Sequence, residues 1–318
     1  MCGIVGFWDK SGEQQTPTGE VLLTMLDALA CRGPDSAGLA LIGPPPPFGA
    51  EDLWSVRITS AEPSALDRLE TIGELVHDAG DVLPNLAANT LRFSFRPAPG
   101  TTTTDLERAL GARRGGPEVL SLGHRLELVK QVGSPAGLEA AYGVSQWKGP
   151  LAIGHTRMST ESRIDLSHSQ PFWAHGVPDL ATVHNGHVTN YHQMRRRYEQ
   201  KGIVFYTDND SEIIGVYLRD RMLAGLTLAE AMEDSLADLD GAYNYLVVSS
   251  EGLGIVRDRF GFKPLVLAET DRFVAVATEE IALRRAIPGD YFACEPPPGS
   301  ALFYPLAARS ELLVQGSN

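Results

Sequence analysis

Cysteine is scarce in this chain: Cys2, Cys31 and Cys294 are the only three in 318 residues. Thiols this few and scattered lack the spacing of a disulfide framework or a zinc site, and they cannot form the cysteine clusters that iron–sulfur binding requires. Neither His155 nor His184 pairs with a second histidine at metal-ligand spacing, and neither a metal nor a cofactor is expected. Long apolar runs are also missing. None approaches the roughly 20 residues needed to cross a bilayer. The N-terminus lacks the basic region and apolar stretch of an export signal, and a cytoplasmic protein without a membrane partner is the expectation. Basic residues are outnumbered 27 to 40, for a net charge of −13. That balance disfavours nonspecific attraction to nucleic acid or anionic membrane. No internal repeat is present.

What is present is enough apolar material for a large core. With 43% hydrophobic and 21% charged residues, one large domain over 1–318 is expected, carrying an insertion over 43–149 that opens with the tetraproline Pro44–Pro47. Cys2–Trp8 reads as a buried strand. Val21–Ala30 places Val21, Leu22, Met25, Leu26 and Leu29 on one helical face, before the turn Arg32-Gly33-Pro34-Asp35 and a strand over Ala37–Ile42. The insertion reads as a strand near Trp54–Thr59 and helices near Leu66–Asp78, Asp105–Arg113 and Ala136–Val144. Further strands are expected at Leu151–Gly154, Leu180–His184, Ala242–Ser249, Gly254–Arg257, Pro264–Leu267 and Phe273–Ala277. Two helices, Ser211–Leu223 and Leu228–Leu239, interrupt them. Strands and paired helices without β-α-β alternation argue for an α+β fold of layered antiparallel sheets flanked by helices.

Position 2 carries the chemistry. Removal of Met1 would put a thiol and a free α-amino group on one residue. An amine with an unperturbed pKa of about 7.7–8.0 can serve as the base that converts the thiol to a thiolate. The plainer reading is a small buried cysteine at the head of a strand, and later segments weigh against it. These are Arg32-Gly33-Pro34-Asp35-Ser36-Ala37-Gly38, Gly154-His155-Thr156-Arg157-Met158-Ser159-Thr160, His184-Asn185-Gly186, Asp208-Asn209-Asp210-Ser211-Glu212 and Val256–Pro264.

With Met1–Gly6, these segments resemble, in order, the class II glutamine amidotransferases, the N-terminal nucleophile hydrolases whose nucleophile is an N-terminal cysteine. The resemblance spans about 1–42 and 150–300 and implies a four-layer αββα sandwich. It also implies roles. Cys2 would be the nucleophile. The Asn185 amide and Gly186 N–H would form the oxyanion hole that a tetrahedral intermediate needs. Arg157 would hold the substrate α-carboxylate through a bidentate fork, and Asp210 would hold the α-ammonium, with Thr160 completing the pocket. Arg32 would support the site from beside Cys2, although as a cation at a helix C-terminus it could equally serve the helix dipole. Asn185-Gly186 alone would read as a hairpin turn, and Arg157 and Asp210 as surface ion pairs. His155 and His184 are expected to pack or orient loops, Asp258 and Arg259 to stabilise a turn, and Arg195-Arg196-Arg197 to form a solvated helix face. Met158 departs from the family, where an aromatic residue is frequent.

No sugar-isomerase domain, pyrophosphate-binding Ser-Gly-Gly-x-Asp loop or phosphoribosyl-pyrophosphate motif is found, so the acceptor half is expected on another chain. The late Arg257–Pro264 segment and long insertion resemble the amidotransferase subunit of split glutamate-synthase-like systems, including the first subunit of N-methylglutamate synthase. That resemblance implies a glutaminase subunit acting on glutamine or a γ-glutamyl amide and passing ammonia or methylamine to synthase subunits of a hetero-oligomeric complex. Two other readings stay open: a freestanding N-terminal-cysteine amide hydrolase, and a noncatalytic glutamine-sensing subunit.

Overall fold

The computed structural model describes residues 2–11, 17–50, 52–59, 76–85, 90–109, 118–159 and 164–306, with 76–85 described by backbone course. Two antiparallel sheets face each other. The first has six strands in the order β13-β14-β1-β8-β2-β7, comprising Val266–Glu269, Phe273–Ala277, Gly3–Asp9, Leu151–Arg157, Ser36–Ile42 and Leu126–Val132. The second has five in the order β15-β12-β11-β10-β9, comprising Ser300–Pro305, Gly252–Arg257, Gly241–Ser249, Ala181–Val188 and Phe172–Trp173.

Strand periodicity builds the layers, because successive side chains point to opposite faces. In β1, Ile4 joins the core between the sheets, while Val5 and Phe7 face outward. In β11, Leu246 and Val248 enter the inter-sheet core, whereas Tyr245 and Val247 face the other way. The strands are thus buried on both sides and read as apolar runs. Each outer face is covered by helices. Helices α1 (Thr18–Ala28) and α7 (Glu280–Ala286) bring Leu22, Met25, Leu26 and Leu283 onto the first sheet. Helices α4 (Tyr191–Gln200), α5 (Glu212–Leu223) and α6 (Leu228–Asp238) bring Met194, Ile214, Leu218 and Met232 onto the second. Helix α6 starts on a capping box, in which Glu230 N–H donates to Thr227 Oγ1 at 3.2 Å and Thr227 N–H to Glu230 Oε2 at 2.8 Å. The resulting α+β sandwich has helix, sheet, sheet and helix layers. Among the described residues no helix is long and apolar enough to cross a membrane.

Residues 43–149 contribute a third, four-stranded antiparallel sheet, β4-β5-β3-β6, formed by Val76–Asn85, Thr90–Pro97, Trp54–Thr59 and Val119–Gly123. Its Val56, Ile58, Phe93 and Phe95 extend the inter-sheet core. Short helices follow at Thr103–Ala109 (α2) and Ala136–Tyr142 (α3). The helix expected near Leu66–Asp78 falls largely outside the described residues, and Val76–Asp78 open β4, paired with Pro97 and Arg96 of β5. Strand β7 also lies within this span and joins the six-stranded sheet, pairing Leu39 with Val129. Its alternation is masked in sequence by Lys130, an inward-facing cation only 1% exposed.

Lys130 survives burial by pairing. Its Nζ contacts the Glu118 carboxylate, donates to Ser169 O at 3.1 Å, and lies 5.0 Å from the Phe172 ring centroid. Burial raises the pKa of Glu118 against the opposing pull of Lys130. Removing one partner strands a charge, which costs about 3–5 kcal/mol. Lys130→Met should therefore lower the chemical-denaturation stability by about that amount, while Lys130→Met combined with Glu118→Gln should recover much of it. Equal losses in the single and double variants would show that the pair is not the source.

Candidate active site

Cys2 leads into β1, a strand flanked by β8 and β14, and the pairing of Gly3 with Thr156 places it beside the end of β8. It is half-buried. Its Sγ lies 3.7 Å from Met158 O. Two donors converge on its backbone carbonyl oxygen: Asn185 Nδ2 from β10 at 3.2 Å and Arg32 Nε at 3.4 Å. Arg32 follows α1 and also pairs with Glu279 at the start of α7. This buttress holds the guanidinium against the residue that leads into the strand.

Arg157 ends β8, is 4% exposed, and directs Nη2 towards Ser159 Oγ at 3.5 Å. The Arg32–Asp35 turn clamps this segment. Asp35 N–H donates to Arg157 O at 3.0 Å, and Ser159 N–H to Asp35 Oδ2 at 2.7 Å. Gly33 permits that approach, since a Cβ there would sit 2.4 Å from the Thr156 carbonyl carbon. Thr160 lies outside the described residues.

Gly186 follows Asn185 and opposes Tyr243 across the β10–β11 pair. Its φ is 138°, and a Cβ would lie 2.1 Å from Ala242 O. This position therefore demands glycine on both conformational and steric grounds. Asp210 sits on the facing loop, where its Oδ2 accepts Val188 N–H at 2.9 Å and its Oδ1 is 3.9 Å from His184 Nδ1. Asp210 remains partly open, whereas Glu212 beside it is buried and shapes the loop. The Glu212 carboxylate accepts Tyr206 N–H at 2.8 Å, Thr207 N–H at 2.9 Å and the Thr207 hydroxyl at 2.8 Å.

Two histidines lie behind these residues. His155 Nε2 donates to His184 O at 3.2 Å; a carbonyl only accepts, so the proton is on Nε2. Burial, reinforced by His184 and Arg157, depresses its pKa to about 3. Burial also lowers the pKa of His184, opposed by Asp210. Both imidazoles are neutral at physiological pH and pack the loops, as expected. Asp258 likewise holds a turn, its Oδ1 accepting Phe260 N–H at 2.7 Å and Gly261 N–H at 3.2 Å.

The arginine run on α4 departs from expectation. Arg196 and Arg197 are exposed, but Arg195 is buried. It donates to Tyr191 Oη at 2.5 Å, Thr207 O at 2.6 Å and Glu199 Oε1 at 2.9 Å. Helical spacing puts Tyr191, Arg195 and Glu199 on one face, so the side chain turns inward to the Asp210 loop. Gln170, whose amide bonds the His184 backbone, was not singled out by the sequence; its only signal is the Pro171 that follows it.

Comparisons with known proteins decide the family. A model described as "glutamine amidotransferase domain" matches residues 155–285. A protein of Methanothermobacter thermautotrophicus, provisionally named a glutamine amidotransferase, is 37% identical over 300 residues, covering 90% of this chain and 94% of the relative. The chain belongs to the class II glutamine amidotransferases. A second relative of this amidotransferase, the glutamine amidotransferase-like protein GlxB of Rhizobium meliloti, is 36% identical over 89% of this chain and 91% of its own length. The fold matches a B. subtilis glutamine phosphoribosylpyrophosphate amidotransferase with a TM-score of 0.60 at 20% identity, over 95% of this chain and 47% of that one. The antiparallel sandwich is therefore the N-terminal nucleophile hydrolase architecture.

Two outcomes test the geometry. Gly186→Ala should place its methyl group against β11 and abolish activity; wild-type turnover in this variant would show that the strand can shift. The second outcome concerns pH. An unfolded imidazole takes its proton near pH 6.5, but folded His155 resists until about 3. Between those values the unfolded chain binds the extra proton. Stability is thus complete above pH 6.5 and declines as pH falls towards 3. The melting temperature of the wild type should drop more steeply between pH 7 and 4.5 than that of His155→Gln; identical slopes would refute the assignment.

Proposed function

We propose that this chain is a glutaminase subunit that cleaves the side-chain amide of glutamine, or a related γ-glutamyl amide, through a thioester on Cys2. Removal of Met1 frees the α-amine. That amine takes the thiol proton, Sγ attacks the side-chain carbonyl carbon, and the Asn185 amide with the Gly186 N–H stabilises the oxyanion. Collapse breaks the C–N bond as the amine returns its proton to the leaving nitrogen. Water then attacks the thioester, breaking the C–S bond and yielding glutamate.

The observation that carries this reading is the Asn185 Nδ2 donor 3.2 Å from the carbonyl of Cys2. It supports a side-chain donor positioned beside the nucleophile before charge develops. Arg157 and Asp210 complete the reading as partners for the α-carboxylate and α-ammonium, and Arg32 buttresses the nucleophile. The released ammonia, or methylamine from an N-methyl amide, passes to a glutamate-synthase-like partner. This finer reading rests on the resemblance of the Arg257–Pro264 segment and the insertion.

Cys2→Ala should reduce glutamine hydrolysis to background with the fold intact by circular dichroism; retained glutaminase activity would sink the thioester mechanism. Asp210→Ala should raise KM for glutamine roughly 10- to 150-fold, the equivalent of a hydrogen bond to a charged group worth about 1.5–3 kcal/mol. A near-wild-type KM would remove Asp210 from the pocket. Affinity purification from the native host should recover flavin- or iron–sulfur-bearing synthase chains in stoichiometric amounts, and recovery of the protein alone would instead favour a freestanding hydrolase.

A further inference from the structure

Gln170 lies in the segment before β9 and is 4% exposed. Strand β9 pairs with β10 only through Phe172–Thr182 and Trp173–Ala181. Pro171 has no N–H with which to extend that ladder. The Gln170 side chain takes over the role of a peptide group. Its Oε1 accepts His184 N–H at 2.6 Å, and its Nε2 donates to His184 O at 3.1 Å. The same Nε2 donates to Ser211 Oγ at 3.0 Å, so both amide protons are used.

Ser211 adjoins Asp210, and His184 adjoins Asn185. Ser211 Oγ also lies 2.8 Å from His184 Nδ1. Ser211 stands at the N-cap of α5, where serine ordinarily accepts a helix N–H; here the side chain makes no capping bond. The hydroxyl is committed inward instead. One buried amide thereby joins the strand carrying Asn185 and Gly186 to the loop carrying Asp210, and the neutral His155 closes on the same His184 carbonyl.

We propose that Gln170 is a positioning residue that sets the spacing between the carboxamide end and the α-ammonium end of the substrate site, acting through Ser211 and His184. This rests on the glutaminase reading above. A link of this kind acts on discrimination: if the Asp210 loop drifts relative to β10, a substrate anchored at both ends loses more than one anchored only at its amide and carboxylate. Misplacement by an ångström can cost two orders of magnitude.

The test compares kcat/KM for glutamine with that for glutaramic acid, the monoamide of glutaric acid, which is glutamine without its α-amine. The full chain with Met1 removed is assayed as wild type, Gln170→Met, which keeps volume but loses the amide, and Ser211→Ala, which removes one oxygen. In both variants the preference for glutamine should fall roughly tenfold or more. Equal losses on both substrates would assign Gln170 to simple structural support and overturn the proposal. If Gln170→Met fails to fold, Ser211→Ala alone decides. Wild-type protein that hydrolyses neither compound would overturn the glutaminase reading instead. The same ratio would then be read from calorimetric Kd values, and failure of the wild type to bind either compound would overturn this inference as well.

Discussion

The antiparallel pairing of β1 with β8 is the constraint on which the candidate site depends. Its register sets Gly3 against Thr156, so Cys2 emerges beside Arg157. Strand β8 pairs on its other edge with β2, which brings Ser36 opposite Arg157 and draws the Arg32–Asp35 turn to the same end of the sheet. A slip of one residue would send every side chain of β1 to the opposite face. Ile4 facing the inter-sheet core and Val5 facing α1 hold the register, so hydrophobic burial places the thiol.

The second sheet brings the complementary groups to the same point. Strand β10 lies against the first sheet through Ala181 and Val183, and its far end carries Asn185 to the Cys2 carbonyl. Immediately behind it the packing turns polar: His155, His184, Gln170 and Ser211 are all nearly fully buried. The Gln170 amide and the Ser211 hydroxyl find their partners in His184 and in each other, which ties these segments together. Burial keeps both imidazoles neutral, so neither competes as a cation for Asp210.

Buried charge recurs where segments distant in sequence must meet. Arg195 reaches from α4 to the carbonyl of Thr207, and its guanidinium lies 4.8 Å from the Phe205 ring centroid. Lys130 reaches from β7 to Glu118 and Ser169 O. Both side chains combine a long apolar stem with a charged head, so they cross an apolar layer and still satisfy their donors. The similarity to two relatives likewise extends over about nine-tenths of the chain.

Much of this was legible beforehand. The apolar strand runs and 3.6-period helices of the sandwich and the cysteine at position 2 are local patterns, and the segments bearing Arg32, Arg157, Asn185, Gly186 and Asp210 pointed to a site only together, through their order and the resemblance they carry. The four strands of the third sheet were mostly not legible, and neither were the edge strand β7, the inward turn of Arg195 or the relay through Gln170. Each depends on what lies opposite in space. A lysine in a strand looks like a surface residue until a buried carboxylate faces it, and a glutamine before a proline looks like a loop until its amide replaces a missing peptide group. The sequence by itself determined which chemical groups are available and which faces must be buried, because propensity and periodicity are short-range. Only the tertiary structure decided which polar groups meet, because desolvation makes a buried donor or acceptor bind whatever partner the packing of distant strands presents.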